Sequence, residues 1–154
     1  MGKRVLIFIS LTVFGFIVGS GVFYWQRGAP KRQALQTLTQ LQGALAAGKA
    51  DAALDMLQIP PAMHSRTRAE QAEFVGKALA DEVTPEGIQR IANNGSFGPL
   101  LQVFPAEGAT WASQAGVNPS NCVAFVSTNV EPRAEAVFLV GTNGWRVVRL
   151  NNIR

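Results

Sequence analysis

The pattern of apolar and polar positions changes character twice along the chain, and each regime predicts a different kind of element. From Val5 to Trp25 there are 21 consecutive positions without a charged side chain, bracketed by Lys3 and Arg4 before the run and by Arg27, Lys31 and Arg32 after it. At about 1.5 Å per residue a helix of that length spans roughly 30 Å, the thickness of a bilayer's hydrocarbon core. The run is read as an uncleaved transmembrane anchor occupying residues 1–27 with its basic flank, followed by a linker at residues 28–32. The rival reading is a removed secretory signal, whose apolar region is usually about 7–15 residues and ends in a small-x-small site. Gly19-Ser20-Gly21 is the one candidate site. It is followed directly by Tyr24 and Trp25, ring systems that favour the membrane boundary and so the anchor. Leu6 stands where a myristoylation signal needs Ser or Thr.

Beyond a break at Gly28-Ala29-Pro30, Leu35, Leu38, Leu41 and Leu45 recur at steps of three and four, which predicts an amphipathic helix. Gly48 interrupts it, and a second short helix is expected from Ala50 to Leu57, closed by Pro60-Pro61. Thr67 and Glu70 have capping-box spacing ahead of a helix whose apolar face would be Phe74, Val75, Ala78, Leu79 and Val83. Thr84-Pro85 starts another helix and Asn93-Asn94-Gly95 stops it. After Gly95, glycine and asparagine punctuate short runs rich in Val, Phe and Trp. These predict strands at Leu100–Phe104, Thr110–Gln114, Cys122–Thr128, Ala134–Val140 and Trp145–Asn151. Asn143-Gly144 between the last two is a hairpin signal, because both residues tolerate positive φ. Helices segregated ahead of an antiparallel sheet predict one α+β domain over residues 33–154.

Charge changes the picture only when it is divided at the anchor. Of the 14 Lys and Arg, five lie in residues 1–32 with no acid among them; the remaining residues hold nine basic and ten acidic side chains. The near-neutral domain lacks the clustered cations that displace counterions from phosphates, so a nucleic-acid partner is not expected. Flanking charge is almost level across the anchor. Since long C-terminal domains are exported largely regardless of it, the expected orientation is N-terminus inside, with the domain across the membrane. In a bacterium this is the inner membrane, with the domain in the periplasm. Cys122 is the single cysteine, so no intrachain disulfide is possible, and it reads as a small buried hydrophobe.

The order of helices, a glycine-rich entry to the sheet at Gly95-Ser96-Phe97-Gly98, and a closing strand that begins Gly144-Trp145-Arg146-Val147-Val148 resembles the nuclear-transport-factor-2-like superfamily. That resemblance covers residues 33–154 and implies a curved sheet wrapped around helices into a cone. It also implies a kinship with bacterial members that carry one N-terminal membrane helix and act as periplasmic scaffolds. Enzymes of the superfamily place a carboxylate base and Tyr or protonated-acid donors inside the cone. Here Tyr24 belongs to the anchor and the domain has no tyrosine. Glu70, Glu73, Asp81, Glu82 and Glu86 fall on polar helical faces or near helix starts, where they serve solvation and the helix dipole.

His64 is the sole histidine and reads as a loop residue; one His and one distant Cys do not make a metal site. Gly95-Ser96-Phe97-Gly98 leads toward a strand, not onto a helix N-terminus as a phosphate loop requires. No catalytic residue, metal site or cofactor is therefore assigned. Trp111, Phe125, Phe138 and Trp145 are the large rings of the expected sheet. Core packing is their default role, and any left exposed would be interaction or pocket-lining residues. Gly15 and Gly19 form a small-xxx-small pair that would let two membrane helices pack closely. Asn94-Gly95-Ser96 fits a glycosylation sequon but is read as a turn. The functional expectation is a single-pass, non-enzymatic subunit that binds or scaffolds within a membrane complex. Its partners would be the lipid bilayer, other membrane-complex proteins and, as an open option, further copies of itself. The alternative is a small-ligand or lipid-binding domain that uses the cone's apolar interior.

Overall fold

The computed structural model describes residues 28–129 and 131–154. The anchor assigned to Val5–Trp25, with the Gly15 and Gly19 packing pair, lies outside the described residues. Among the described residues no helix is long and apolar enough to cross a membrane. The chain divides into two units, residues 1–33 and 34–154, and the second carries the α+β fold.

Helix α1 occupies described residues 28–46. The break expected at Gly28-Ala29-Pro30 is thus helix, and so are the residues read as a linker; Lys31, Arg32, Gln33, Ala34 and Leu35 are all good helix formers. Leu38 and Leu41 are fully buried, Leu35 and Leu45 only partly, and Ala34, Thr37 and Ala44 complete the buried stripe. Gly48 ends the helix at φ +66°, with its N–H donating to Leu45 O (3.1 Å) and the Lys49 N–H to Ala44 O (2.9 Å). This pair of bonds is a Schellman closure, which needs a residue tolerant of positive φ.

Helix α2 (Ala50–Asp55) follows and is shorter than expected, because Leu57 leaves it to make a parallel bridge with Val147. Helix α3 (Arg68–Leu79) has the anticipated capping box: Thr67 Oγ1 accepts from the Glu70 N–H (3.3 Å), and the Glu70 carboxylate accepts from the Thr67 N–H (2.8 Å). The Thr67 backbone N–H, then its hydroxyl, hold the Glu70 carboxyl below the ordinary value of 4.5. The contribution is present above that value and lost as pH falls through the lowered one. The melting-temperature advantage of the wild type over Glu70→Gln should therefore be present at pH 7 and shrink steadily in melts run from pH 4.5 downward. An advantage constant with pH would contradict the capping role. Helix α4 (Pro85–Asn94) begins at Thr84, whose hydroxyl accepts from the Gly87 N–H (3.0 Å).

Two strand assignments are corrected. Leu100–Phe104 and Thr110–Gln114 are not strands: they contain helices α5 (Leu100–Val103) and α6 (Gly108–Gln114). The buried positions Leu100 and Phe104, and Gly108, Ala112 and Ala115, recur at three and four residues. That period prevails over the β preference of Val103, Thr110 and Trp111. The first strand lies in the glycine-rich entry instead, as β1 (Ser96–Pro99). β2 (Cys122–Ser127), β3 (Ala134–Gly141) and β4 (Gly144–Asn151) follow in a four-stranded antiparallel sheet of order β1-β2-β3-β4. The last two strands form the expected hairpin, with Gly144 at φ +115°.

Alternation along the strands builds two cores. Phe125, Ala136, Phe138 and Val147 pack on one face with the buried residues of α1 to α4. Ala124, Val137 and Cys122 pack on the other with Leu100, Phe104 and Ala112. β3, covered on both faces, is therefore almost uniformly apolar. The space between α1–α4 and the sheet is filled by Leu38, Leu41, Ile91, Phe125 and Phe138, all with no accessible surface.

Candidate functional site

Two shallow depressions meet at β4, and both are lined by Gln58, Pro60, Val148 and Arg149. They exist because a short strap crosses the outer edge of the sheet. The Val147 N–H donates to Met56 O and the Gln58 N–H to Val147 O, each at 2.8 Å, and the prolines at 60 and 61 then turn the chain away. A second parallel bridge, Val83 to Ile153, covers the edge again, with the Thr84 N–H donating to Ile153 O (2.9 Å). Among the described residues, no backbone group from another segment bonds the outer edge of β4 at Val148–Asn151.

The first depression is an apolar groove of about 180 Å3 between α3 and β4, walled by Met63, Phe74, Val75, Leu79, Val148 and Leu150. Sequence spacing puts Phe74 and Ala78 on the core-facing side of α3. In the structure only Ala72 and Val75 are buried, and Phe74 is 48% exposed. Arg66 sits over the Phe74 ring at 5.6 Å, a contact that covers one face of it.

The second depression, about 190 Å3, has Trp111, Gln114 and Ala115 as its far wall. Here a register shift in β4 matters. Val137 pairs with Arg149 and Phe138 with Val147, so Val148 is an extra residue. Strict alternation from the core residue Val147 would send Arg149 back into the same apolar layer. The bulge instead turns Arg149 toward Trp111, on the α6 side, and Leu150 toward the helical core. Arg149 lies over the Trp111 ring at 4.4 Å, and its Nε donates to Glu135 Oε2 at 3.2 Å.

Glu135 is 3% exposed on an otherwise apolar strand, and it is satisfied by two guanidiniums. Arg133 donates through Nε to Glu135 Oε1 and through Nη2 to Glu107 (3.1 Å), and it lies 5.2 Å over Phe104. Phe104 meets Trp111 edge-on at 4.8 Å. The four side chains Arg133, Phe104, Trp111 and Arg149 thus close a ring around one buried carboxylate. Glu135 and then Glu107 hold the Arg133 guanidinium above its ordinary pKa, so it stays charged at any working pH.

The residues singled out from sequence separate cleanly. Phe125 and Phe138 are wholly buried, 6.3 Å apart, and reach neither depression. Trp145 is half-buried against Phe138 at 6.1 Å. Trp111, expected on a strand, is on α6, and it lines the second depression. Glu70, Glu73, Asp81 and Glu86 are exposed; Glu82 is half-buried and accepts from the Asn152 N–H (3.2 Å). His64 Nε2 lies 3.1 Å from Ile59 O in its loop. Burial pushes the Cys122 thiol up to about 11, which keeps it protonated and unreactive at neutral pH. Among the described residues there is no cluster of three or more His, Cys, Asp or Glu able to hold a metal ion.

Sequence reasoning missed Glu135, Arg133 and Arg149. A glutamate inside Ala134-Glu135-Ala136-Val137-Phe138 was the available signal, since an acid within so apolar a run must be paired or exposed. Searches against protein-family models, curated proteins and solved structures each found no match to this chain.

Proposed function

We propose that the chain is a single-pass, membrane-anchored, non-enzymatic subunit whose extracytoplasmic domain binds partner proteins of a membrane complex. The anchor half of the proposal rests on the 21-residue uncharged run and its basic flanks. The binding half rests on one observation: an apolar groove at a sheet edge, with a phenylalanine 48% exposed at its wall. At about 180 Å3 the groove is below the roughly 300–1,000 Å3 of pockets that enclose a whole small ligand, and it suits one or two side chains of a protein. The carboxylates nearby are engaged in ion pairs: Glu135 between two arginines, and Asp51 and Asp55 on Arg68 at 3.2 and 2.8 Å.

The likeness to the nuclear-transport-factor-2-like superfamily supports the same reading, with a curved, cone-like sheet as a display platform. The domain is assigned to the far side of the membrane from the N-terminus, the periplasm if the source is a bacterium. The alternative, a lipid or small ligand inside the cone, is less favoured because the layer between α1–α4 and the sheet is packed with fully buried side chains.

The test uses the full chain in its native membrane. It should resist alkaline extraction, a C-terminal tag should be protease-accessible only from the outer side, and mild detergent should release it with other proteins. Phe74→Asp should cut that co-purification by roughly tenfold while leaving the melting temperature within about 2 °C, since an exposed ring contributes to an interface and little to the core. Alkaline extraction of the intact chain, or a strictly solitary monomer from native membranes, would sink the proposal.

A further inference from the structure

We infer that the β4 edge is a receptor for an extended peptide segment of a partner protein, in which an apolar residue is immediately followed or preceded by an acidic one. This deepens the binding reading above by naming the partner's chemistry. Three observations converge on it. The outer edge of β4 is covered by parallel bridges at Val147 and Ile153 and by Glu82, which takes the Asn152 N–H, while at Val148–Asn151 no backbone group of a further segment bonds that outer edge among the described residues. A strand with unpaired edge groups is a template for an added strand. On the α3 side of that edge lies the apolar groove of about 180 Å3.

On the α6 side lies Arg149, with its side chain 40% exposed. Its Nε is committed to Glu135 and its face to Trp111, while Nη1 and Nη2 have no partner among the described residues. A guanidinium fixed on two sides, with two unused parallel donors, is arranged for a carboxylate. Gln114 lines the same depression and offers an amide donor beside it, while the Gln58 amide donates across it to Ala115 O at 3.5 Å.

Geometry then dictates the order of the partner's residues. Successive side chains of an extended segment point to opposite faces. A segment laid along β4 that drops an apolar side chain into the α3 groove must send its neighbour toward Arg149. An apolar residue and an acid separated by one position would face the same side and could not use both depressions.

The probe is a set of fluorescent, end-capped octapeptides on a serine and threonine background, titrated against the full chain in detergent micelles. Central Leu-Glu should bind at least about tenfold more tightly than Leu-Gln, Ser-Glu or Leu-Ser-Glu, with the preference over Leu-Gln weakening as salt rises. Because Arg149 also pairs with Glu135, its own substitution could disturb the fold. Gln114→Glu, on an exposed position of α6, instead places a competing carboxylate beside Arg149. It should abolish the preference for Leu-Glu over Leu-Gln with no change in melting temperature, and Phe74→Ser should weaken both peptides. Equal binding of Leu-Glu and Leu-Gln, equal binding of Leu-Ser-Glu, or a preference untouched by Gln114→Glu would overturn the inference. So would acetate or phosphate competing equally against Leu-Gln, or self-association of the chain that blocks every peptide. Partners that co-purify while no peptide is discriminated would overturn this inference alone. Discriminated peptides with no co-purifying partner would overturn the subunit reading and leave this receptor standing.

Discussion

Gly87→Ala is expected to lower the domain's stability by about 3 kcal/mol or more, the upper end of what overpacking usually costs. In a domain of this size that is a fall in melting temperature of more than roughly 10 °C. Gly87 sits in the first turn of α4, where its amide is the one capped by Thr84. A Cβ there would lie 2.0 Å from the Ile153 carbonyl oxygen and 2.7 Å from the Arg154 nitrogen. Neither is the end of a flexible side chain. The Ile153 carbonyl is held by the Thr84 N–H at 2.9 Å, and the Ile153 side chain is fully buried, so the backbone cannot yield without dismantling the Val83–Ile153 bridge. Gly43→Ala is the control. Gly43 is exposed in α1, and a methyl added there would meet nothing within 4 Å, so the change should stabilise by about 0.5–1 kcal/mol through helix propensity alone. Thermal melts of the two variants decide the matter. Equal and small effects would mean that the approach of α4 to the C-terminal segment is looser than these distances require.

The contrast between those glycines shows which parts of the fold the sequence could announce. Local signals were legible where the chemistry is local. Thr67 with Glu70, Thr84 with Pro85, and Asn143 with Gly144 each act within a few residues, and all three sit at the element ends they predict. Gly87 carries no such signal, because its role is set by Ile153, distant in sequence. The same holds for α5 and α6, where residues of high β preference are overruled by a period that becomes visible only once the second face of the sheet is known to need covering. β1 was hidden for the opposite reason: Ser96-Phe97-Gly98-Pro99 has little strand propensity, and its pairing with Val123–Val126 creates the strand. At the candidate site, Trp111 was legible as a large ring, but its position beside Arg149 depends on the bulge at Val148, an irregularity no alternation rule predicts. Helical spacing places Phe74 in the core, yet its ring is 48% exposed, because spacing gives the apolar stripe without its width.

Arg133→Met with Arg149→Met should cost about 3 kcal/mol, well beyond the loss expected from either change alone. Each single variant leaves Glu135 one guanidinium: Arg133 donates to Oε1 and Arg149 to Oε2 at 3.2 Å. The double variant leaves a carboxylate that is 3% exposed with neither cation. Stranding a buried charge typically costs about 3–5 kcal/mol, and the lower end applies because both arginine side chains, 42% and 40% exposed, already share their charge with water. The decisive step is the third substitution. Adding Glu135→Leu to the double variant removes the stranded charge and gives Leu the company of Phe104, Trp111 and the new methionines, so stability should recover most of the loss. Urea unfolding of the wild type, the two single variants, the double and the triple measures this as a midpoint that falls in the double variant and rises again in the triple. A triple variant no more stable than the double would mean that the penalty came from lost arginine stacking on Phe104 and Trp111, and that the carboxylate is not what the ring of side chains is built around.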